Sequence, residues 1–130
     1  MKDLEHARLM LAVAERDLKA LRAMKDKDAF ADEIFGFHAQ QAVEKGLKAW
    51  LSAMGTAYPK THDLGELLAL LKESGADAAT RYSALADLTD FSVQFRYDSL
   101  EEIGGTLNRT EVLKDVTALL VHVKSIAATG

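Results

Sequence analysis

The sequence contains no cysteine, which excludes disulfide scaffolds, thiolate metal sites, iron–sulfur clusters and a cysteine nucleophile. Proline occurs once, at Pro59, and no strand-length run alternates β-branched with polar residues. Apolar runs such as Leu119–Val121 are far too short to span a membrane. The first ten residues mix acids with bases and lack an apolar signal segment. We therefore expect a cytoplasmic protein.

The charge balance also narrows the function classes. Lys and Arg number 16 against 20 Asp and Glu, so the net charge of −4 gives no general attraction to nucleic-acid phosphates. A local basic patch is still compatible with that total. The length of 130 residues fits a single domain spanning 1–130, which can fold without a metal or disulfide. The histidines are dispersed, so we expect no metal site and no cofactor.

Helical periodicity covers nearly the whole chain and predicts an all-α, up-and-down helical bundle of four long helices and one short helix. Capping boxes are expected where Asp63 precedes Glu66 and where Asn108 precedes Glu111. The predicted helices run from Asp3 to Met24, from Ala29 to Met54, from Asp63 to Ser74, from Asp77 to about Tyr97, and from Asn108 toward the C-terminus.

The second predicted helix has one face of small residues and one face of polar residues, and each needs its own interpretation. The stripe of small residues consists of Ala39, Ala42, Gly46, Ala49 and Ala53. We predict that it packs tightly inside the protein; the alternative is a helix contact across a dimer. The other face is a polar arc, for which a solvated face is the default: His38, Gln41, Glu44, Lys45, Lys48 and Ser52. In the fourth helix the predicted inner seam is Leu85, Leu88, Ser92 and Phe95, with Phe91 beside it.

Three segments together resemble one known family. They are FHAQQAVEKGLKAWL at Phe37–Leu51, THDLGELLALL at Thr61–Leu71 and FRYD at Phe95–Asp98. In this order and spacing they are similar to the HEPN domain, the higher eukaryotes and prokaryotes nucleotide-binding family. No single segment is specific, but the three combined in an all-α chain of this size are.

The resemblance implies an up-and-down helical bundle that is commonly dimeric and often acts with a separately encoded minimal nucleotidyltransferase, in many cases as a toxin–antitoxin pair. Many family members are metal-independent ribonucleases that carry an Arg followed, after four to six residues, by a His. Here no histidine follows Arg96 at that distance. An arginine cannot act as a base at its pKa above ~12, so the resemblance points to the branch that binds nucleotides or proteins without cleaving RNA.

The candidate nucleotide-binding residues combine the family segments with the chemistry of phosphate recognition. Arg96 would hold a phosphate and Tyr97 would stack on a base. Lys45 and Lys48 would add positive charge, and His62 would donate near the start of the third helix. Gln41 and Glu44 complete the polar face, with Glu44 alternatively orienting Arg96. For each of these residues the competing interpretation is a structural one, such as a surface ion pair or a loop contact.

We therefore predict a non-catalytic nucleotide-binding protein that forms a homodimer and acts with a minimal nucleotidyltransferase partner, without membrane contact. One alternative is a protein-interaction module with no ligand of its own. Another is a ribonuclease toxin that uses a different proton-transfer residue, for which His62 is the candidate.

Overall fold

A computed structural model describes residues 2–26, 28–92 and 107–129. Within these ranges the chain is helical and contains no strand, which confirms the all-α bundle. The segment Phe95–Asp98, including Arg96 and Tyr97, lies outside the described residues. The elements are α1 (Leu4–Ala23), α2 (Asp32–Met54), α3 (Leu64–Glu73), the 3₁₀ helix η1 (Asp77–Phe91) and α4 (Arg109–Thr129).

The helix ends follow the local capping chemistry expected from the sequence. The Asp63 carboxylate accepts from the backbone N–H of Gly65 at 2.9 Å and of Glu66 at 3.3 Å. The Asn108 side chain accepts from the N–H of Glu111 at 3.1 Å. Gly55 ends α2 in the left-handed conformation, with φ of 78°. These contacts span only a few residues, so they form wherever the helix begins or ends.

The start of α2 differs from the prediction. The helix begins at Asp32 rather than near Ala29. The reason is the buried side chain of Arg109, which donates to the carbonyl of Met24 at 2.7 Å, to the carbonyl of Phe30 at 2.6 Å and to the Asp32 carboxylate at 2.8 Å. The carbonyl oxygens before Asp32 are thus bound by a guanidinium from α4, so the preceding segment forms a turn.

Helix α2 is the central element, because α1, α3, η1 and α4 all pack against it. It runs antiparallel to α1, as shown by the bond from the Asp3 N–H to the Ser52 carbonyl at 2.8 Å and by the 3.1 Å contact of His38 with Asp17. Its small-residue stripe is buried. A Cβ on Gly46 would lie 2.6 Å from Cδ2 of Leu120 in α4, which confirms close internal packing at that position.

The fourth element is a 3₁₀ helix, and its buried residues recur at every third position. They are Ala79, Tyr82, Leu85, Leu88 and Phe91. The 3₁₀ helix has three residues per turn, so this spacing aligns all of them on one face. The predicted seam was wrong in placing Ser92 inside, since Ser92 is half-buried and Phe91 is buried. In the part of the chain described, no helix has the length and apolarity needed to cross a bilayer.

We predict that Gly36→Ala destabilises the protein by about 1–3 kcal/mol, because the Phe91 ring occupies the space that a Cβ would need. A Cβ on Gly36 would lie 2.5 Å from Cγ and 2.6 Å from Cε1 of that ring, so the whole buried ring has to move. Urea unfolding monitored by circular dichroism measures the loss.

Gly65→Ala is the matched control, since the nearest atom to a Cβ there is Oδ1 of Asp63 at 3.3 Å. Its free energy of unfolding should change by less than about 0.5 kcal/mol. Equal losses in the two variants would contradict the assignment of the loss to the Phe91 contact.

Candidate functional site

A buried carboxylate organises the polar side of α2. Glu44 is 0% exposed. Its Oε1 accepts from Nε2 of Gln40 at 3.0 Å and from Nδ1 of His62 at 2.8 Å. Its Oε2 accepts from Nζ of Lys45 at 3.1 Å and from Nζ of Lys48 at 3.0 Å. We call these five residues the Glu44 cluster.

The cluster arises from helix spacing and from one loop contact. Gln40 and Lys48 lie four residues before and after Glu44, so both side chains share its face of α2. His62 comes from the loop before α3, and its carbonyl accepts a second bond from Nε2 of Gln40 at 3.1 Å. Backbone and ring of His62 are therefore both held to α2. The start of α3 is fixed further where the Leu64 N–H donates to the Thr89 hydroxyl at 3.0 Å.

A second layer of contacts surrounds the cluster. Gln41 donates to Oε1 of Gln40 at 2.7 Å and accepts from Nζ of Lys45 at 3.3 Å. Nζ of Lys48 lies 5.6 Å from the ring centroid of Tyr58, within cation–π range. The Tyr58 hydroxyl is hydrogen-bonded to Nε2 of His6 at 2.9 Å. The loop after α2 thus contacts Lys48 and links it to α1.

The electrostatics of the cluster follow from the burial of Glu44. Burial raises the pKa of a carboxyl group, but here the hydrogen bonds from Gln40, His62, Lys48 and Lys45 outweigh it and lower the pKa of Glu44 to about 2. The group is therefore ionised at neutral pH. With one carboxylate and two ammonium groups, the cluster carries a net positive charge even when the His62 imidazole is neutral.

The imidazole of His62 is held in a defined tautomer. Because the Glu44 carboxylate is ionised, Nδ1 of His62 must carry the hydrogen of their 2.8 Å bond. The side chain is 68% exposed, and Nε2 makes no hydrogen bond to the described residues. In the neutral ring Nε2 is thus a proton acceptor that is accessible to solvent.

The structure brings together most of the residues chosen from the sequence. Gln41, Glu44, Lys45, Lys48 and His62 lie in or directly beside the Glu44 cluster. Arg96 and Tyr97 lie outside the described residues, so the alternative in which Glu44 orients Arg96 stays a prediction.

The solvated-face interpretation of the polar arc is wrong for part of it. Glu44 is fully buried, Lys48 is 9% exposed and Ser52 is 6% exposed. The cause is the central position of α2, whose polar side is covered by the loop that carries Tyr58 and His62. The Glu44–Lys48 pair is therefore part of a buried network rather than a weak surface pair.

Sequence reasoning missed three contributors. Gln40 is 0% exposed and bonds both Glu44 and the His62 backbone. Its position four residues before Glu44 was a usable signal, since it places an amide on the same helix face. Tyr58 and His6 had no such signal, because their contact joins residues that are far apart in sequence.

The cluster offers charge and donors to an anion. Each ammonium has three donors, and the bonds to Glu44 and Gln41 leave one free on Lys45, whose side chain is 23% exposed. Lys48 is 11% exposed at its side chain and contributes mainly through its charge. Among the described residues, no three His, Asp or Glu side chains converge in a way that could hold a metal ion.

Comparison with known proteins identifies a family match over most of the chain. The family described as "HEPN domain" matches residues 7–126, from the start of α1 into α4. All residues of the Glu44 cluster lie within the matched range. No curated protein and no solved structure matches the chain significantly.

We predict that Glu44→Gln lowers the free energy of unfolding at pH 7 by about 3–5 kcal/mol, because two buried or half-buried ammonium groups lose their counter-charge. The pKa of Glu44 falls from 4.5 to about 2 on folding. The ionised carboxylate therefore contributes stability above pH 4.5, about 3 kcal/mol in all, and that contribution is lost as the pH falls toward 2.

Urea unfolding at pH 7, 4 and 3 tests both parts. The difference between the unmodified protein and Glu44→Gln should shrink as the pH is lowered. Glu73→Gln is the control, because Glu73 is exposed near the end of α3 and should show little effect at any pH. A difference that stays constant from pH 7 to 3 would contradict the depressed pKa.

Proposed function

The chain belongs to the HEPN domain family, and we propose on this premise that it binds a nucleotide at the Glu44 cluster without cleaving it. The observation that carries the proposal is the buried Glu44 carboxylate, which orders two lysines and one histidine at one edge of α2. The result is a positively charged site in a chain whose net charge is −4.

The arrangement supports phosphate binding because its groups are ordered before any ligand arrives. A flexible lysine loses side-chain entropy when it binds an anion, and that cost is reduced where another contact already holds it. Lys45, at 23% exposure, would contact the phosphate directly, and Lys48 would act through its charge. His62 would donate or accept from the exposed side. Arg96 and Tyr97 are proposed, from the sequence, as further phosphate and base contacts.

The proposal of binding without cleavage rests on the sequence after Arg96. The next histidine is His122, far beyond the spacing of the ribonuclease motif. From the family resemblance of the sequence we also propose a homodimer and a minimal nucleotidyltransferase partner in a toxin–antitoxin-like system. Light scattering of the purified chain tests the first, and co-purification of a stoichiometric partner tests the second.

We predict that one or more nucleotides raise the thermal midpoint of the protein by a few degrees, since ligand at 100-fold its Kd stabilises the folded state by about 2.7 kcal/mol. Lys45→Met should weaken this ligand about tenfold or more, because it removes the charge and keeps the aliphatic stem. Arg96→Ala tests the proposed contribution of that residue in the same assay.

Lys72→Met is the matched control, an exposed lysine of α3 with no contact to the cluster. It should leave nucleotide affinity unchanged. Equal affinities in Lys45→Met and Lys72→Met would refute the assignment of the site. The absence of any shift across a panel of nucleoside mono-, di- and triphosphates would instead favour the protein-interaction module.

A second candidate function is RNA cleavage, which the tautomer of His62 favours. With its Nδ1 hydrogen held by Glu44, the free Nε2 could take the proton of a ribose 2′-hydroxyl. The 2′-oxygen would then bond to phosphorus, the bond from phosphorus to the 5′-oxygen would break, and water would protonate the leaving oxygen.

Incubation of a defined RNA with the chain, without divalent metal, distinguishes the two functions. Cleavage leaving 2′,3′-cyclic phosphate ends, and lost in His62→Gln, would support the second candidate. Intact RNA under the same conditions would refute the second candidate, and nucleotide binding would then be the one remaining proposal of the two.

A further inference from the structure

A separate basic groove lies between the end of α1 and the first half of α4. Its volume is about 450 Å³, and we call it the basic groove, defined by its lining residues Arg22, Lys25, Thr110, Leu113, Lys114 and Thr117. The two helices run antiparallel, as the bond from Arg8 to the Ala127 carbonyl at the opposite end shows. None of the lining residues belongs to α2 or α3, so the groove is distinct from the Glu44 cluster.

The groove concentrates unpaired positive charge. Arg22, Lys25 and Lys114 are exposed, and the ion pairs of the described residues involve other side chains. The acidic residues of α4, Glu111 and Asp115, do not line it. Three cations thus line one concavity in a chain whose net charge is −4, so positive side chains are concentrated there locally.

Both sides of the groove are fixed by one buried side chain. Arg109 directly precedes Thr110 and donates to the carbonyls of Met24 at 2.7 Å and of Asp26 at 3.4 Å. These two residues flank Lys25, so its backbone is anchored to the first turn of α4. Arg109 is 5% exposed and is itself paired with Asp32 at 2.8 Å. The backbone that carries Lys25 is therefore tied to the start of α4.

The chemistry of the lining selects the class of ligand. The ammonium, guanidinium and threonine hydroxyl groups can donate hydrogen bonds to phosphate oxygens. The lining of the groove has no aromatic side chain to stack on a base and no carboxylate or amide to hydrogen-bond to a base edge. The cations come from both walls, which suits several phosphates in a row better than a single one. We propose that the basic groove binds the phosphate groups of a chain-like polyanion, independently of base identity.

The test measures binding of a short fluorescent oligothymidylate to the full chain by anisotropy, over a range of salt concentrations. Three phosphate contacts predict a slope of log Kobs against log salt of about −2. The variant with Arg22→Gln, Lys25→Gln and Lys114→Gln should weaken binding at least about tenfold and flatten this slope.

The matched control removes the same charge from exposed positions of α1 and α4 outside the groove, with Arg16→Gln, Lys19→Gln and Lys124→Gln. It should weaken binding by less than about threefold. Equal weakening in the two triple variants, or no binding of either oligothymidylate or inorganic tripolyphosphate at low salt, would overturn the proposal.

Two further experiments distinguish a nucleic acid from a free polyphosphate as the ligand, and the basic groove from the Glu44 cluster as the site. If inorganic tripolyphosphate binds in the groove and oligothymidylate does not, the ligand is a free polyphosphate. Competition between the two would show that they share one phosphate site. Lys45→Met should retain oligothymidylate binding, because Lys45 lies outside the groove. If Lys45→Met loses oligothymidylate binding and the triple groove variant keeps it, the binding belongs to the Glu44 cluster and the groove proposal is overturned.

Discussion

A carboxylate removed from water has to be compensated from several directions, and the compensation of Glu44 determines how this side of the molecule is built. Its four donors come from α2 and from the loop before α3. Removing one partner of such a network leaves a buried charge unpaired, which costs far more than a surface pair contributes. The position of the His62 loop, the order of both lysines and the ionisation of the site therefore depend on this one group.

A second buried charge organises the end of the bundle where α2 and α4 begin. Arg109 bonds three carbonyls and one carboxylate between α1 and α2, and its guanidinium lies 5.0 Å from the ring centroid of Phe35. It thereby sets the start of α2 and the base of the basic groove. Glu44 and Arg109 have opposite signs but the same effect, because each bonds several segments of the chain around one desolvated charge.

These two charges also bear on the two proposed binding sites. The Glu44 cluster contains a carboxylate that restrains its own cations, so it suits a defined ligand with few phosphates. The basic groove has no such restraining acid and is open along two helices, so it suits repeated phosphates. A chain that is acidic overall can hold both proposed sites, because charge acts locally within about a Debye length.

The sequence by itself determined the number and order of the helical elements, the caps at Asp63 and Asn108, and most residue types of the candidate site. Capping at Asp63 and Asn108 and the apolar period of α1 arise from contacts within a few residues, so they can be read locally. The three-residue period of η1 was also readable, although the α-helical pattern was predicted instead. Only the tertiary structure decided that Glu44 is buried and that Tyr58 and His6 join its surroundings. Burial depends on which distant segments cover a residue, and helical periodicity carries no information about that.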